Sequence, residues 1–305
     1  MRKTCLDMVY ELAKNDPRIV FIGSDLGVGT LDAFKKEMPD RFFMEGISEA
    51  NIIGLASGLA MEGKIPYVNT IASFLTRRAY EQIVLDVCLH NLNVRLIGNG
   101  GGLVYAPLGP THTTIEDIAI MRCLPNMTIV APADSSEMKH FMKTTTEYSG
   151  PIYIRLAKGY DPLVTRQEEP FEIGKAVVMK EGNDAIVFTT GITLKIAIEA
   201  ADKLKSKGIQ IAVIHSPTIK PLDNNIINFI KEREIIVTIE EHSISGGLGS
   251  AIGEIILEKN FTEPKKFKRI GICDKFPDEY GSQASLMDRF LINSSNLVNT
   301  ILQLI

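Results

Sequence analysis

The chain has 305 residues, 45% of them hydrophobic and 23% charged, with a formal net charge of −4. That composition predicts a soluble globular protein of about two domains, and its acidic balance gives no electrostatic case for nucleic acid. No apolar run reaches membrane-spanning length, and residues 1–7 do not read as a signal peptide. The four cysteines, Cys5, Cys88, Cys123 and Cys273, lack metal-ligand or redox spacing and read as reduced thiols of a cytoplasmic protein.

In chain order, residues 4–14 read as an amphipathic helix with Thr4 as a possible cap, and 18–23 as a short buried strand ending at Gly23. Residues 24–30 read as loop and 31–38 as a short helix. Next come a strand at 42–45 and a helix from Ser48 that is almost wholly apolar or small, hence expected to be buried on most sides. A strand at 66–70, a helix over 73–90 and a strand at 93–98 follow, and then a long glycine-rich loop from Asn99 to Thr114. Helix 115–122, strand 127–131, helix 134–147 and strand 152–156 complete the first half. Gly159, Pro162, Pro170 and the charges between them mark a linker over 159–172. The alternation then restarts, with strands at 185–190, 209–214, 235–239 and 268–272 and helices at 193–206, 222–232, 248–259 and 295–304.

Strands that are continuous apolar runs, alternating with helices, predict an α/β fold with a parallel sheet covered on both faces. The expected domains are 1–158 and 173–305, joined by the linker 159–172. Ligands in such sheets sit at the carboxyl ends of strands. Glu49, the Asn99–Thr114 loop and Arg155 all fall there, and a loop of that length in a compact domain is commonly functional.

Taken by itself, Glu49 supports two readings. Ser48 is a good N-cap and an acid in the first helical turn is favoured by the helix dipole. Alternatively, a carboxylate at the mouth of a buried helix handles protons. His112 lies between a flexible loop and a helix and reads equally as structural or catalytic. Phe74, after Ser73, reads as core. The Ser245–Gly249 stretch before a helix lacks phosphate-loop spacing and reads as a tight turn. Residues 134–137 read as a helix start capped by Asp134 or Ser135. His90, His140 and His215 read as structural or surface residues, and His242, after Glu240-Glu241, as a weak candidate. Arg77 either faces a site or pairs with Glu81 along its helix.

An ordered set of segments carries a family resemblance. It comprises Gly46-Ile47-Ser48-Glu49-Ala50-Asn51, Ser73-Phe74-Leu75-Thr76-Arg77-Arg78, Gly109-Pro110-Thr111-His112, Glu116–Arg122 and Ala131-Pro132-Ala133-Asp134, then Val237–His242 and Gly246–Ala251. Together they resemble the C-terminal half of a transketolase, in the form made as a separate subunit. The resemblance implies a thiamine diphosphate enzyme, a transferase of carbohydrate metabolism. It would have a pyrimidine-binding domain followed by a transketolase C-terminal domain. It implies that Glu49 hydrogen-bonds N1′ of the cofactor's aminopyrimidine, where proton exchange favours the imino form that helps deprotonate the thiazolium. It further implies that Phe74 stacks on the pyrimidine, that Arg77 lies on the cofactor side, and that His112 serves as a catalytic and substrate-binding residue. Arg155 would hold a substrate phosphate, a contact to which guanidinium is suited.

Equally informative is a missing motif. The family holds the diphosphate and Mg²⁺ through a Gly-Asp-Gly sequence, which this chain lacks. The resemblance therefore implies an N-terminal partner subunit that carries the metal site, in an α2β2 assembly, with no metal ligand here. Gly100 and Leu108 stand where sugar-phosphate transketolases have polar substrate contacts, so the donor is expected to differ in its polar pattern. Two alternatives stay open: the β subunit of a 2-oxoacid dehydrogenase E1 component or another 2-oxoacid-using thiamine enzyme, and a non-catalytic scaffold or regulatory subunit.

Overall fold

The computed structural model describes residues 1–24, 29–157, 159, 161–166 and 170–305. Part of the expected loop at 24–30 and part of the linker lie outside these. The first half runs α1 (Arg2–Asn15), β1 (Ile19–Gly23), α2 (Asp32–Glu37), β2 (Phe42–Met44), α3 (Glu49–Met61), β3 (Ile65–Ile71), α4 (Ala72–Arg78), α5 (Tyr80–Gln82), β4 (Arg95–Asn99), α6 (Asp117–Arg122), β5 (Thr128–Val130), α7 (Ser135–Thr144) and β6 (Ile152–Leu156). The second runs β7 (Val177–Lys180), β8 (Ala185–Thr189), α8 (Thr193–Lys205), β9 (Ile211–His215), β10 (Thr218–Lys220), α9 (Ile226–Lys231), β11 (Ile235–Ser243), α10 (Leu248–Glu258), β12 (Lys266–Ile272), α11 (Gln283–Arg289) and α12 (Ser294–Leu304).

These strands form two sheets, of order β10-β5-β6-β4-β3-β1-β2 and β12-β11-β8-β9-β7. Every residue of β1, β4 and β6 is buried, so none alternates between a core face and a solvent face. Strand β1 is an unbroken apolar run, while the polar residues of β4 and β6, Arg95, Asn99 and Arg155, are buried with hydrogen-bond partners. One apolar cluster joins the first sheet to α3, α4 and α6, and another joins it to α1 and α7. The α/β fold, with mostly parallel sheets and helices, matches the sequence expectation.

The differences have local causes. The helix expected over 73–90 breaks at Ala79 and widens into a π-helical turn at Ile83–Cys88. Strand β7, α11 and β10 were not expected. Strand β7 is a half-buried edge strand paired antiparallel with β9; its apolar stretch, residues 176–179, is short and flanked by Lys175 and Lys180. Strand β10 comes from the second half yet pairs antiparallel with β5 of the first sheet. Thr4 caps nothing, because α1 begins at Arg2 after Met1. Asp134, not Ser135, caps α7, accepting from Ser136 and Glu137 amides at 2.9 and 3.0 Å. It also accepts the Val164 and Thr165 amides, both at 2.8 Å, and so ties the linker to α7.

Helix α3 departs furthest from its expectation. Ser48 precedes it, but its hydroxyl donates to the Glu45 carbonyl at 3.0 Å instead of capping the helix. Glu49, Ile52, Ile53, Ala56 and Ser57 are buried, whereas Ala50, Asn51, Gly54, Gly58 and Met61 are exposed. A helix almost wholly of small and apolar residues predicts burial on most sides, but this chain covers one side only.

Candidate active site

Three segments at the carboxyl ends of β2, β3 and β4 converge on one rim. After β2 the chain turns through Gly46, at φ +66°, and enters α3 with Glu49 in its first turn. Strand β3 passes directly into α4, which places Phe74 in that helix's first turn. The loop after β4 carries His112. Its base is closed by paired bonds between Gly102 and Thr114, each amide donating to the other's carbonyl at 2.8 Å.

The Glu49 carboxyl is 4% exposed, and the Arg78 guanidinium donates to it at 3.3 Å. The same guanidinium lies over the Phe74 ring, 4.0 Å from its centroid. The His112 ring meets Phe74 edge-on, with centroids 5.1 Å apart. The structure therefore brings Glu49, Phe74 and His112 together, with Arg78 among them. Sequence reasoning singled out Arg77 and passed over its neighbour. A cation four residues after an aromatic on a helix is a readable local signal, and Arg78 stands in that relation to Phe74.

Arg77 turns away from Glu49. Its guanidinium pairs with Glu116 and donates to the Thr113 carbonyl at 2.9 Å, so it supports the stretch behind His112. Neither the pairing with Glu81 nor the place on the cofactor side matches that geometry.

Arg155 also requires correction. It is buried at the junction of the two sheets, where Nε donates to Asp117 at 2.7 Å and Nη2 to the other Asp117 oxygen at 3.2 Å. Nη2 also donates to the Glu241 carbonyl at 2.9 Å, and Tyr153 donates to Asp117 at 2.7 Å. Burial pushes the Asp117 carboxyl up, but Arg155 and His242 outweigh it and hold the group below its ordinary range. A substrate phosphate would have to displace a buried, bidentate carboxylate. The expected phosphate role does not fit this geometry.

Asp117 and Glu241 went unnoticed as a pair because the sheets, not the sequence, bring them to Arg155. Glu241 is buried, and Leu103 N–H and Gln283 Nε2 donate to its Oε1 at 2.9 and 2.8 Å. Burial raises its carboxyl from the usual range to about 7. His242, the weak candidate, is also buried, and its Nε2 accepts the Ala119 amide at 3.3 Å. His215 pairs with Glu137 at 3.0 Å.

The two departures in the loop have different surroundings. Gly100, at φ +72°, lies against Tyr105, whose ring fills the space a side chain at position 100 would need. Tyr105 also approaches His112, with centroids 6.4 Å apart. Leu108 is half exposed. Among the described residues there is no cluster of three or more His, Cys, Asp or Glu able to hold a metal, and no helix long and apolar enough to cross a membrane.

With that geometry described, known proteins supply a comparison. The transketolase pyrimidine-binding domain matches residues 1–160, and the transketolase C-terminal domain matches residues 174–297. The 6-deoxy-6-sulfo-D-fructose transketolase subunit SqwH of Clostridium sp. (strain MSTE9) is 34% identical over 98% of this chain and 92% of its own length. The 1-deoxy-D-xylulose-5-phosphate synthase of Rippkaea orientalis is 37% identical over 96% of this chain, which spans only 46% of that protein. A solved structure described as a split-gene transketolase in an inactive beta4 tetramer superposes with a TM-score of 0.90. It is 34% identical and covers 99% of this chain and 97% of its own.

Proposed function

The chain belongs to the transketolase family, and on that premise we propose that it is one subunit of a thiamine diphosphate-dependent enzyme that transfers a two-carbon ketol unit to an aldehyde or sugar acceptor. Its activity requires a partner subunit that holds the diphosphate and Mg²⁺. The observation that carries this reading is the position of Arg78. A flat, nitrogen-bearing group lies on Phe74 and hydrogen-bonds Glu49, the same two places an aminopyrimidine would occupy. The cradle therefore fits that ring.

Each residue at the rim has work to do in this reading. When bound, thiamine diphosphate would supply the thiazolium carbon that serves as the reaction's nucleophile. Glu49 holds and exchanges a proton at N1′ of the pyrimidine, from a site that solvent barely reaches. Phe74 offers the face on which the ring stacks, and Arg78 swings away to expose it. Arg78 is half exposed, so its move costs little. His112 is oriented by Thr111, whose hydroxyl meets Nδ1 at 2.9 Å, which leaves Nε2 for the substrate. Gly100 and Leu108 offer no polar side chain to a donor hydroxyl. The natural donor therefore differs in polar pattern from pentulose and hexulose phosphates.

The need for a partner is supported by the bare side of α3. Ala50, Gly54 and Gly58 recur every fourth residue beside Met61, with Ile47 80% exposed at the helix entrance. A Cβ placed on Gly54 or Gly58 would meet nothing within 4 Å. Such a surface admits another helix at close range, next to Glu49.

Mixing the purified chain with a Gly-Asp-Gly-bearing partner, thiamine diphosphate and Mg²⁺ should create turnover that neither chain has by itself. Full turnover from this chain unaided would refute the split-enzyme reading. Gly58→Leu should leave the lone chain folded and abolish assembly; unchanged assembly would remove α3 from the interface. A donor screen of ketose phosphates against 2-oxoacids, with lipoyl-domain acylation scored, separates the ketol-transfer reading from an E1-type activity. Bound cofactor with no turnover on any donor would favour a scaffold.

A further inference from the structure

The loop that carries His112 is folded onto the C-terminal half of the chain. Leu103 and Ala106 are buried within the apolar cluster built by α8, α12 and the second sheet. At the loop's start, Glu241 of β11 accepts the Leu103 amide. Gly102, at φ +71°, stands so close that a Cβ there would lie 2.5 Å from the Glu241 carboxyl carbon. Gln283 of α11 donates to the same Glu241 oxygen and fixes its rotamer, while Arg155 holds the Glu241 carbonyl from behind. Near the loop's end, Tyr280 lies against Gly109, three residues before His112, where a Cβ would come within 2.8 Å of the ring.

We propose that Glu241 is a positioning residue for the ketol-transfer reaction: reaching across from the second sheet, it fixes the base of the glycine loop and so sets where His112 stands against Phe74. The proposal rests on the reading of the rim given above. Its physical basis is the Gly102–Thr114 closure. That pair of bonds makes residues 102–114 one closed loop, so holding residues 102 and 103 holds the frame on which His112 is displayed. Glu241 makes no bond to Glu49, Phe74 or His112, and it acts through the backbone of Gly102 and Leu103. The C-terminal half thereby gains a role in the site without contributing a group to it.

The test uses the full chain with Glu241→Ala, Glu241→Gln and Gln283→Ala. Hydrogen–deuterium exchange over residues 100–112 is followed in the chain by itself, and donor kinetics in the complex with partner, cofactor and Mg²⁺. Glu241→Ala should speed exchange in the loop about tenfold, the scale of one buried hydrogen bond. It should also raise the donor KM by a comparable factor, with thiamine diphosphate affinity unchanged. Glu241→Gln keeps the acceptor oxygen and should stay within about twofold of the parent on both readouts. Gln283→Ala removes only the buttress and should loosen the loop by a smaller factor, which decides the matter if Glu241→Ala fails to fold. Unchanged loop exchange in a folded Glu241→Ala chain overturns the proposal, as does a loss of cofactor affinity equal to the loss in KM. If the parent complex turns over no donor, the functional reading fails, and the exchange data still judge the clamp.

Discussion

Two arginines separate two kinds of charged site. Arg78 is 51% exposed and reaches Glu49 through a single 3.3 Å contact while resting on Phe74. Arg155 is buried, grips Asp117 with two nitrogens and donates to a backbone carbonyl besides. The first arrangement is replaceable: a single long contact from a half-exposed guanidinium is all that joins Arg78 to the buried Glu49 carboxyl. The second is saturated, and breaking it leaves a buried charge with no counterpart. A group that awaits a ligand and a group that holds the fold differ less in residue type than in how completely their bonds are already filled.

The sharpest way to break this contrast is Arg155→Met. If the junction is structural, urea unfolding of the chain by itself should show a loss of about 3–5 kcal/mol. A normal unfolding curve, with a raised KM confined to phosphorylated donors, would return Arg155 to the substrate. Glu49→Gln tests the other side: turnover of the assembled enzyme should fall about 10²–10⁴-fold, while the urea midpoint stays put.

Glu241 gives the contrast a pH axis. Burial sets its folded pKa at about 7 against an ordinary 4.5, with Asp117 adding to the rise and Arg155, Gln283 and the Leu103 amide opposing it. The folded state therefore binds the extra proton between those values, and stability declines as pH climbs through that window. The full effect is on the order of 3 kcal/mol. Glu241→Gln should flatten that part of the curve in thermal melts from pH 4.5 to 7.5, and an unchanged slope would assign the titration elsewhere. The smallest effect belongs to Arg78→Ala. Removing the occupant of the pyrimidine cradle should tighten thiamine diphosphate binding to the complex by roughly two- to fivefold, read by calorimetry. Weakened binding would make Arg78 a cofactor ligand.

What could be read in the sequence follows from how local its causes are. Strand β1 was legible because burial on both faces writes itself as an apolar run, and β4 and β6 were legible from the apolar residues around Arg95 and Arg155. Helix α7 was legible because Asp134 caps it from the preceding residue. Strand β7 is half-buried at an edge, β10 is three residues long, and α11 is opened by a Ser282–Ser285 capping box rather than the usual glutamate pattern. Glu49, Phe74 and His112 were found through resemblance and do lie together. Arg155 was placed at the substrate because its true partner, Asp117, is 38 positions away and visible only once the sheets are paired.

Strand β10 has a consequence for where this protein can be cut. It covers β5, which would otherwise end the first sheet with its backbone amides and carbonyls bare. The Pro217 carbonyl accepts the Ala131 amide, and Lys220 seals the carbonyls of Arg122 and Leu124. A fragment ending in the linker would present β5 as a sticky edge, ready to pair with a second molecule. The two halves are thus interlocked rather than modular. Any recombination or fusion that trades one half for a relative's must carry the segment around residues 217–221 along with the first half, or lose its solubility.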